Sequence, residues 1–552
     1  MDLEKKLVSL YDLSETVTDP QTKAIFAGLF NVIEELSARN KILEKGNQQL
    51  RDEINHLKGE QGKPHIRPNT QNKQNISSEK ERSRKKKWKK HAKKIHIPID
   101  NTVHCPIDHN TLPPDAVFKY CDTVIQQDIV FERKNTLYKV DVYYSPSEKK
   151  TYRVALPAEY TGYHGNGLKS FALTLHNVCD VTSNKILGFI QNTGIEISKG
   201  ALSSILLGQN DWIFNEKNDI LHAGLQVSYA QADATASRVR GANYHTQIIC
   251  NDFFTSYTTL KNRTRLDVLA AFQGLNNKND LQLIFNNETI HLLKIAKIPE
   301  NDRILLYDMF NGRSTSITLE HFSMRIQNEF PELFHKTVIF TQVKEAFAFA
   351  YYHSQDEYPI IELLITDDAS EYNKIAILFH ALCWIHDARF YKKLMPIVKG
   401  HQEICANFMK KYWDYYHSLL DYKELPTKRG KKLLDKKFDL LFLPDKAYAQ
   451  LNTCIKRTVK NKDQLLAVLE HPQLPLHNNT SELGARQKAR KRDISYHTMT
   501  QKGIEVQDAW MTIVHTAIKL GVNIYSYISK VVNNNVTTSL AEVIYQKAEC
   551  VK

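Results

Sequence analysis

The sequence predicts a multidomain α/β protein, on three observations. Two apolar stretches, LQVSYAQAD and YPIIELLITD, read as strands that end in carboxylates, Asp233 and Asp367. Long segments beside them, such as HQEICANFMKKYWDYYHSLLDYKEL and QDAWMTIVHTAIKLGVNIYSYI, read as helices. Residues 20–60 carry an apolar repeat of seven. The 552 residues leave room for roughly three or four domains.

Seventy-four Lys and Arg against 61 Asp and Glu give a net charge of +13. The excess is concentrated rather than spread, which favours a polyanion, nucleic acid first, over a surface tuned for solubility. No uncharged apolar run reaches about 18 residues, so no membrane span is expected. The N-terminus lacks the layout of a signal peptide. Eight scattered Cys read as reduced thiols rather than a disulfide framework, which points to the cytoplasm.

Residues 1–60 read as a coiled-coil dimerisation segment. Phe26, Ile33, Asn40, Asn47 and Ile54 fall on one heptad line, and Leu29, Leu36, Leu43, Leu50 and Leu57 on the other. Asn at two a positions specifies a two-stranded parallel register, so a homodimer or higher oligomer is expected, against a helix packed on its own domain. Gly59, Gly62 and Pro64 end the helix. Residues 61–95 then read as a basic disordered linker containing KERSRKKKWKKHAKK. Its Lys85, Lys86, Lys87, Lys89 and Lys90 suit phosphates of any sequence; nuclear targeting and a plain solvated linker are the competing readings.

Residues 96–162 read as a small finger-like β domain of short strands, FKYCDTVIQQDIVFERKN and LYKVDVYYSPSEKKTYRVALP. Cys105 and His109 resemble half of a zinc site, but the matching turn, Tyr144 to Lys150, offers no second pair. Two ligands do not complete a tetrahedral structural site, so the sequence argues against zinc. Residues 163–212 follow the order helix, Gly turn, Ser-led helix of a helix-turn-helix, with Ser198 as the cap of the last helix. Lys199 and Ser203 sit near its start, where bases or phosphates are reached; a helix pair that merely packs is the alternative.

Residues 213–392 and 476–552 read as two parts of one catalytic core, and 393–475 as a helical insertion with a Trp/Tyr-rich core. Thr246–Tyr257 reads as a strand partnering the one that ends at Asp233. Ile360–Thr366 is a buried central strand. A helix follows Asp367 and Asp368, and Glu482 lies on a helix after His477-Asn478-Asn479. Three acids on separate elements suit two hard divalent cations, Mg²⁺ or Mn²⁺, on a phosphodiester. An RNase H-like sheet provides that geometry.

The wording around the acids is similar to one family. QADATASRVRG resembles the Asp-x-Thr-Gly-x-Arg segment around the first acid of transposases of the insertion-sequence-66 type, departing from it at Ala234 and Ala236. LLITDDASEYNKI and ALCWIHDARFYKKL resemble their second acid segment and its trailing Cys-Trp-x-His-x-x-Arg. PLHNNTSELGARQKARKRDIS resembles their Asn-Asn-x-x-Glu-x-x-x-Arg segment. The zipper, finger and helix-turn-helix come in that family's order, and the resemblance runs from about residue 20 to 530.

It implies a bacterial DDE-type DNA transposase that binds element ends and performs two-metal hydrolysis and strand transfer, with Asp233, Asp367 and Glu482 as the metal-binding acids. Asp368 is the lesser candidate for the second acid. Cys383 and His386 are expected to orient the second-acid region through hydrogen bonds. Arg238, Arg389 and Arg486 are candidate phosphate contacts, with salt bridges to the metal-free acids as the alternative. An inactive, transposase-derived DNA-binding repressor is the competing function.

Overall fold

A computed structural model describes residues 2–58, 97–108, 112–208, 210–227, 229–312, 315–373, 375, 378–444, 447–495 and 498–550. Asp2–Glu15 (α1) folds against the 38-residue helix Pro20–Leu57 (α2). Asp19 starts α2 by accepting the Thr22 N–H at 2.7 Å, with Pro20 at the first helical position, where no donor is missed. The two heptad lines diverge. Phe26 and Ile33 pack with Leu7, Tyr11, Phe30 and Val398 of the same chain. Leu29, Leu36, Leu43 and Leu50 are more than half exposed. The basic stretch with Lys85, Lys86, Lys87, Lys89 and Lys90, the helix stop at Gly59, Gly62 and Pro64, and His109 all lie outside the described residues.

The finger-like β reading needs correction. Among the described residues of this region, only Val142–Ser145 (β1) and Lys150–Arg153 (β2) pair, as an antiparallel hairpin around the turn expected there. FKYCDTVIQQDIVFERKN forms no regular element, and its Val124 is 92% exposed. Phe131 meets Phe171 and Phe189, but Val117, Phe118, Val124, Ile129 and Val130 stay largely exposed, and an isolated strand leaves its backbone groups without a ladder. Asn166–Asn177 (α3), Ser183–Asn192 (α4) and Lys199–Leu206 (α5) follow. Gly194, at φ 81°, turns the chain between α4 and α5. The Ser198 hydroxyl accepts the Ala201 N–H at 3.1 Å, the cap expected from sequence. The buried side chains of α3–α5 belong to the same continuous core as Asn210–Val227 (α6) and the C-terminal helices.

A mixed five-stranded sheet follows. Ala230–Val239 (β3), Ala242–Cys250 (β4) and Thr255–Leu260 (β5) form an antiparallel meander. Helices Arg265–Phe272 (α7), Asn287–Ile295 (α8), Glu300–Phe310 (α9), Leu319–Glu329 (α10), Pro331–His335 (α11) and Thr337–Ser354 (α12) are inserted next, with the ribbon Gln282–Leu283 (β6) and Ile317–Thr318 (β7). Leu363–Thr366 (β8) and Phe379–Leu382 (β9) then return parallel, giving the order β5-β4-β3-β8-β9.

Three strand expectations change here. Leu225 and Val227 end α6, so Asp233 is the fourth residue of a ten-residue strand and does not end it. A short apolar run fits both periods, and α6 claims this one through Ile213, Ile220 and Leu221. The stretch Thr246–Tyr257 is two strands. Its break is Asn251, whose side chain accepts the Phe253 N–H (2.9 Å) and donates to the carbonyls of Gly224 (2.8 Å) and Tyr229 (3.2 Å). After Asp367 comes a single 3₁₀ turn, Ser370–Tyr372, and then β9, in place of the expected helix.

Trp384–Lys392 (α13) leads into Lys399–Glu424 (α14), Lys428–Leu441 (α15), Ala449–Lys460 (α16) and Lys462–Leu465 (α17), whose core is aromatic as expected: Trp384, Tyr412, Tyr415, Tyr416 and Phe438. Asn479–Ser495 (α18), Gln501–Leu520 (α19), Ile524–Val532 (α20) and Leu540–Glu549 (α21) complete the chain. Helix α19 covers the edge strand β5. Thr516, Thr512 and Asp508 accept the N–H groups of Thr255 (3.2 Å), Tyr257 (3.0 Å) and Thr259 (2.7 Å), donors an open edge would leave bare. No helix among the described residues is long and apolar enough to cross a membrane.

Candidate active site

The parallel register of β3 and β8 sets Gln231 beside Ile365. Two residues further on each chain stand Asp233 and Asp367, so register alone places these carboxylates side by side, on the same face. Strand β8 ends there, while β3 continues along β4 to Val239. The first acid therefore sits where its neighbour strand stops.

Glu482 arrives from the first turn of α18. Two contacts fix that helix. The fully buried Asn478 donates through Nδ2 to the Ala232 carbonyl (2.8 Å), and its backbone N–H donates to Cys383 Sγ (3.2 Å). Gly484 lets α18 lie on the sheet: a Cβ there would stand 2.8 Å from Ile248 Cγ2, and Ile248 is the cross-strand partner of Asp233. Its carbonyl accepts the Tyr257 hydroxyl at 3.3 Å.

Electrostatics tie the three acids together. Burial pushes the Asp233 carboxyl up to about 6; the charges of Asp367 and Glu482 add to the rise, and the Ala234 N–H and Arg263 oppose it. Carboxylates crowded in this way are relieved by a cation. Among the described residues, no three His, Cys, Asp or Glu side chains stand grouped to hold an ion as they are placed. The acids are otherwise engaged: Asp233 Oδ1 accepts its neighbour's N–H (2.7 Å) and Asp367 Oδ1 that of Ala369 (3.3 Å). Arg389 Nη2 donates to both oxygens of Glu482 (2.9 and 3.2 Å), and Nη1 to His386 Nε2 (2.8 Å). Oxygen donors of this type suit hard divalent cations.

Since Arg389 donates to Nε2, His386 carries its proton on Nδ1 and is neutral; burial, then the Arg389 charge, lower its pKa. The arginine thus makes the salt bridge the sequence offered as the alternative to a phosphate contact. Cys383 and His386 sit at the start of α13, as the sequence has them. Asp368 points away, held by Arg457 (2.5 Å) and Asn461 (3.3 Å) of the insertion.

The remaining candidates are exposed. Lys199 and Ser203 are exposed on α5. Arg238 is exposed near the end of β3, and Arg486 is exposed one turn beyond Glu482. Cys105 is exposed.

Sequence reasoning missed four neighbours of the site. Arg263, just past β5, is ion-paired with Glu371 and acts electrostatically on both Asp233 and Asp367. The buried Tyr372 donates to Gln247 Oε1 (3.4 Å). His380 Nε2 meets Thr366 Oγ1 (2.7 Å), which holds the Asp367 carbonyl (2.5 Å), and burial lowers its pKa to about 4. Asn478 stands in the Asn-Asn pair already quoted, which was its only signal.

Residues 344–506 match the family model described as Transposase IS66 family. That span runs from α12 into α19 and contains Asp367 and Glu482, with Asp233 upstream of it. The chain is also similar to the uncharacterized protein y4jO of Sinorhizobium fredii (strain NBRC 101917 / NGR234), 26% identical over 326 residues, covering 56% of this chain and 93% of that protein.

Proposed function

We propose that this chain, a transposase of the IS66 family, is a DDE-type enzyme that hydrolyses and joins DNA phosphodiesters at the ends of a mobile element. The single observation carrying the reading is the β3–β8 register, which puts Asp233 beside Asp367 with Glu482 brought over β3 by α18. Three antiparallel strands continued by two parallel ones, in the order β5-β4-β3-β8-β9, support an RNase H-like core. Two divalent cations, Mg²⁺ or Mn²⁺, held by these carboxylates would activate the attacking water or 3′-hydroxyl and stabilise the leaving oxygen.

The chain's own residues do the rest. Burial, with the charges of Asp367 and Glu482 nearby, leaves the Asp233 carboxylate in need of a cation. Arg389 neutralises Glu482 beforehand and, once displaced, is free to meet a phosphate. Cys383 holds the start of α13 against the segment that leads into α18, and His386 accepts from Arg389 and so orients it within α13. Arg238 and Arg486, with Lys199 and Ser203 at the start of α5, are assigned to DNA. The segments read as domains keep their sequence roles in this proposal: dimerisation by α2 through its exposed leucine row, a basic tether, and α4–α5 as a helix-turn-helix.

The test is Mg²⁺-dependent cleavage or joining of DNA carrying the element ends. Asp233→Asn and Glu482→Gln are expected to abolish it while DNA binding persists. Full activity in both variants rejects the assignment. A wild-type chain that binds these ends without ever cutting them is the retired, repressor-like form.

A further inference from the structure

We infer that the outward face of α15 is a duplex-DNA surface, separate from every DNA-contacting residue assigned above; the inference rests on the transposase reading. Helix α15 buries Leu434 and Phe438 against the aromatic core of the insertion. The opposite face carries Arg429, Lys432 and Lys436, all exposed, at the i, i+3, i+7 spacing of one helical stripe. Lys428 and Lys437 flank it, also exposed.

The acids of the helix do not offset this charge. Asp435 and Asp439 both turn to Lys462 Nζ (3.0 and 2.7 Å), and Lys431 pairs with Glu470. Those pairs close within the insertion, and among the described residues no acid is ion-paired with Arg429, Lys432 or Lys436, so the stripe stands as a cationic ridge. From Arg429 to Lys436 it runs ~10 Å at 1.5 Å per residue. One strand of B-DNA presents about three phosphates over that length. Helix α16 anchors the same insertion to the loop after Asp367, through Arg457 and Asn461 on Asp368. Duplex held on the ridge is therefore held by a body fixed to the second acid's loop. Guanidinium and ammonium groups on a convex helix match a phosphate backbone and carry no base readout, so the surface serves DNA of any sequence.

The experiment measures binding of a random-sequence duplex to the full chain by fluorescence anisotropy across a salt series. The triple variant Arg429→Ala/Lys432→Ala/Lys436→Ala is expected to lower the slope of log K against log salt by about 2.7, at roughly 0.9 per lost phosphate. The charge-keeping variant Arg429→Lys/Lys432→Arg/Lys436→Arg is expected to retain the wild-type slope. All three positions are exposed, so thermal unfolding should match wild type in both. A wild-type slope in the alanine variant overturns the inference and leaves the face, with its exposed Leu433 and Leu440, to a protein partner. A wild-type chain that binds no duplex overturns the transposase reading instead, so the two failures are told apart.

Discussion

Replacing Glu34 with Ala should release the N-terminal helices from the insertion. Glu34 is 3% exposed on α2. Its Oε1 accepts the N–H groups of Ile397 (2.6 Å) and Val398 (3.0 Å), donors at the start of α14, and its Oε2 meets His401 Nδ1 at 3.0 Å. One turn earlier, Asn31 accepts the Ala449 N–H (2.9 Å) and donates to the Ala447 carbonyl (3.0 Å), holding the start of α16. Truncation at Glu34 strands a buried imidazole and two buried amides. Breaking a buried hydrogen-bonded pair costs about 3–5 kcal/mol. Undocking α2 rehydrates those groups, so the loss is capped by the free energy of docking. The assay is hydrogen exchange. At 3 kcal/mol, the Ile397 and Val398 amides should exchange more than about a hundredfold faster in the variant. Rates within threefold of wild type would refute the latch. Its pH dependence has a definite sign. Burial works to raise the Glu34 pKa, but the His401 and backbone hydrogen bonds together lower it. A depressed carboxylate stabilises fully above its unfolded value, about 4.3, and that stability is lost as pH falls through the folded value.

The Asp233 carboxyl behaves oppositely. Because its pKa is raised to about 6, ionising it costs folding energy as pH climbs from the ordinary carboxylate range to 6. Asp233→Asn should therefore raise cation-free stability at pH 7.5 by on the order of 2 kcal/mol and do little at pH 4, read by denaturant melts at both pH values; an equal effect at both contradicts it. Arg389→Ala should lower Tm in EDTA and enlarge the Tm gain on adding Mg²⁺, since Glu482 then lacks its internal cation; identical gains in variant and wild type count against the proposed site. Gly484→Val should cost roughly 1–3 kcal/mol by pressing α18 off Ile248, and cleavage should fall more than DNA binding; an unaltered Tm contradicts the close packing.

The sequence showed element types where a single period dominates and a terminus is chemically marked. The helix of Glu482, the Ser198 cap and the aromatic insertion are of this kind. It misread LQVSYAQAD, where α6 ends at Val227 and β3 starts at Ala230 with no Gly or Pro in the stretch to mark the change. It joined β4 to β5 because Asn251 breaks the ladder through contacts with Gly224 and Tyr229, distant in sequence. The three proposed acids stand in the wording matched to the family. Their adjacency was not legible, because it depends on β8 crossing back to β3 over six inserted helices. Arg263 and His380 had no mark at all; only the closed sheet brings them to the site. The heptad gave the period of α2, and only the fold reveals that Phe26 and Ile33 already have partners within the chain.

The shared core beneath α3–α5 has a geometric consequence. Leu173, Ile190 and Leu206 are buried together with Ile213, Trp510 and Ile544, so these helices cannot swing as a tethered module. A duplex seated on α5 would lie at a set reach from Asp233 on β3. Under the proposed function the molecule would work as a ruler: the distance from contacted base to severed bond would be built into its packing, and lengthening that stretch of DNA by half a helical turn would present the wrong side of the backbone to the acids.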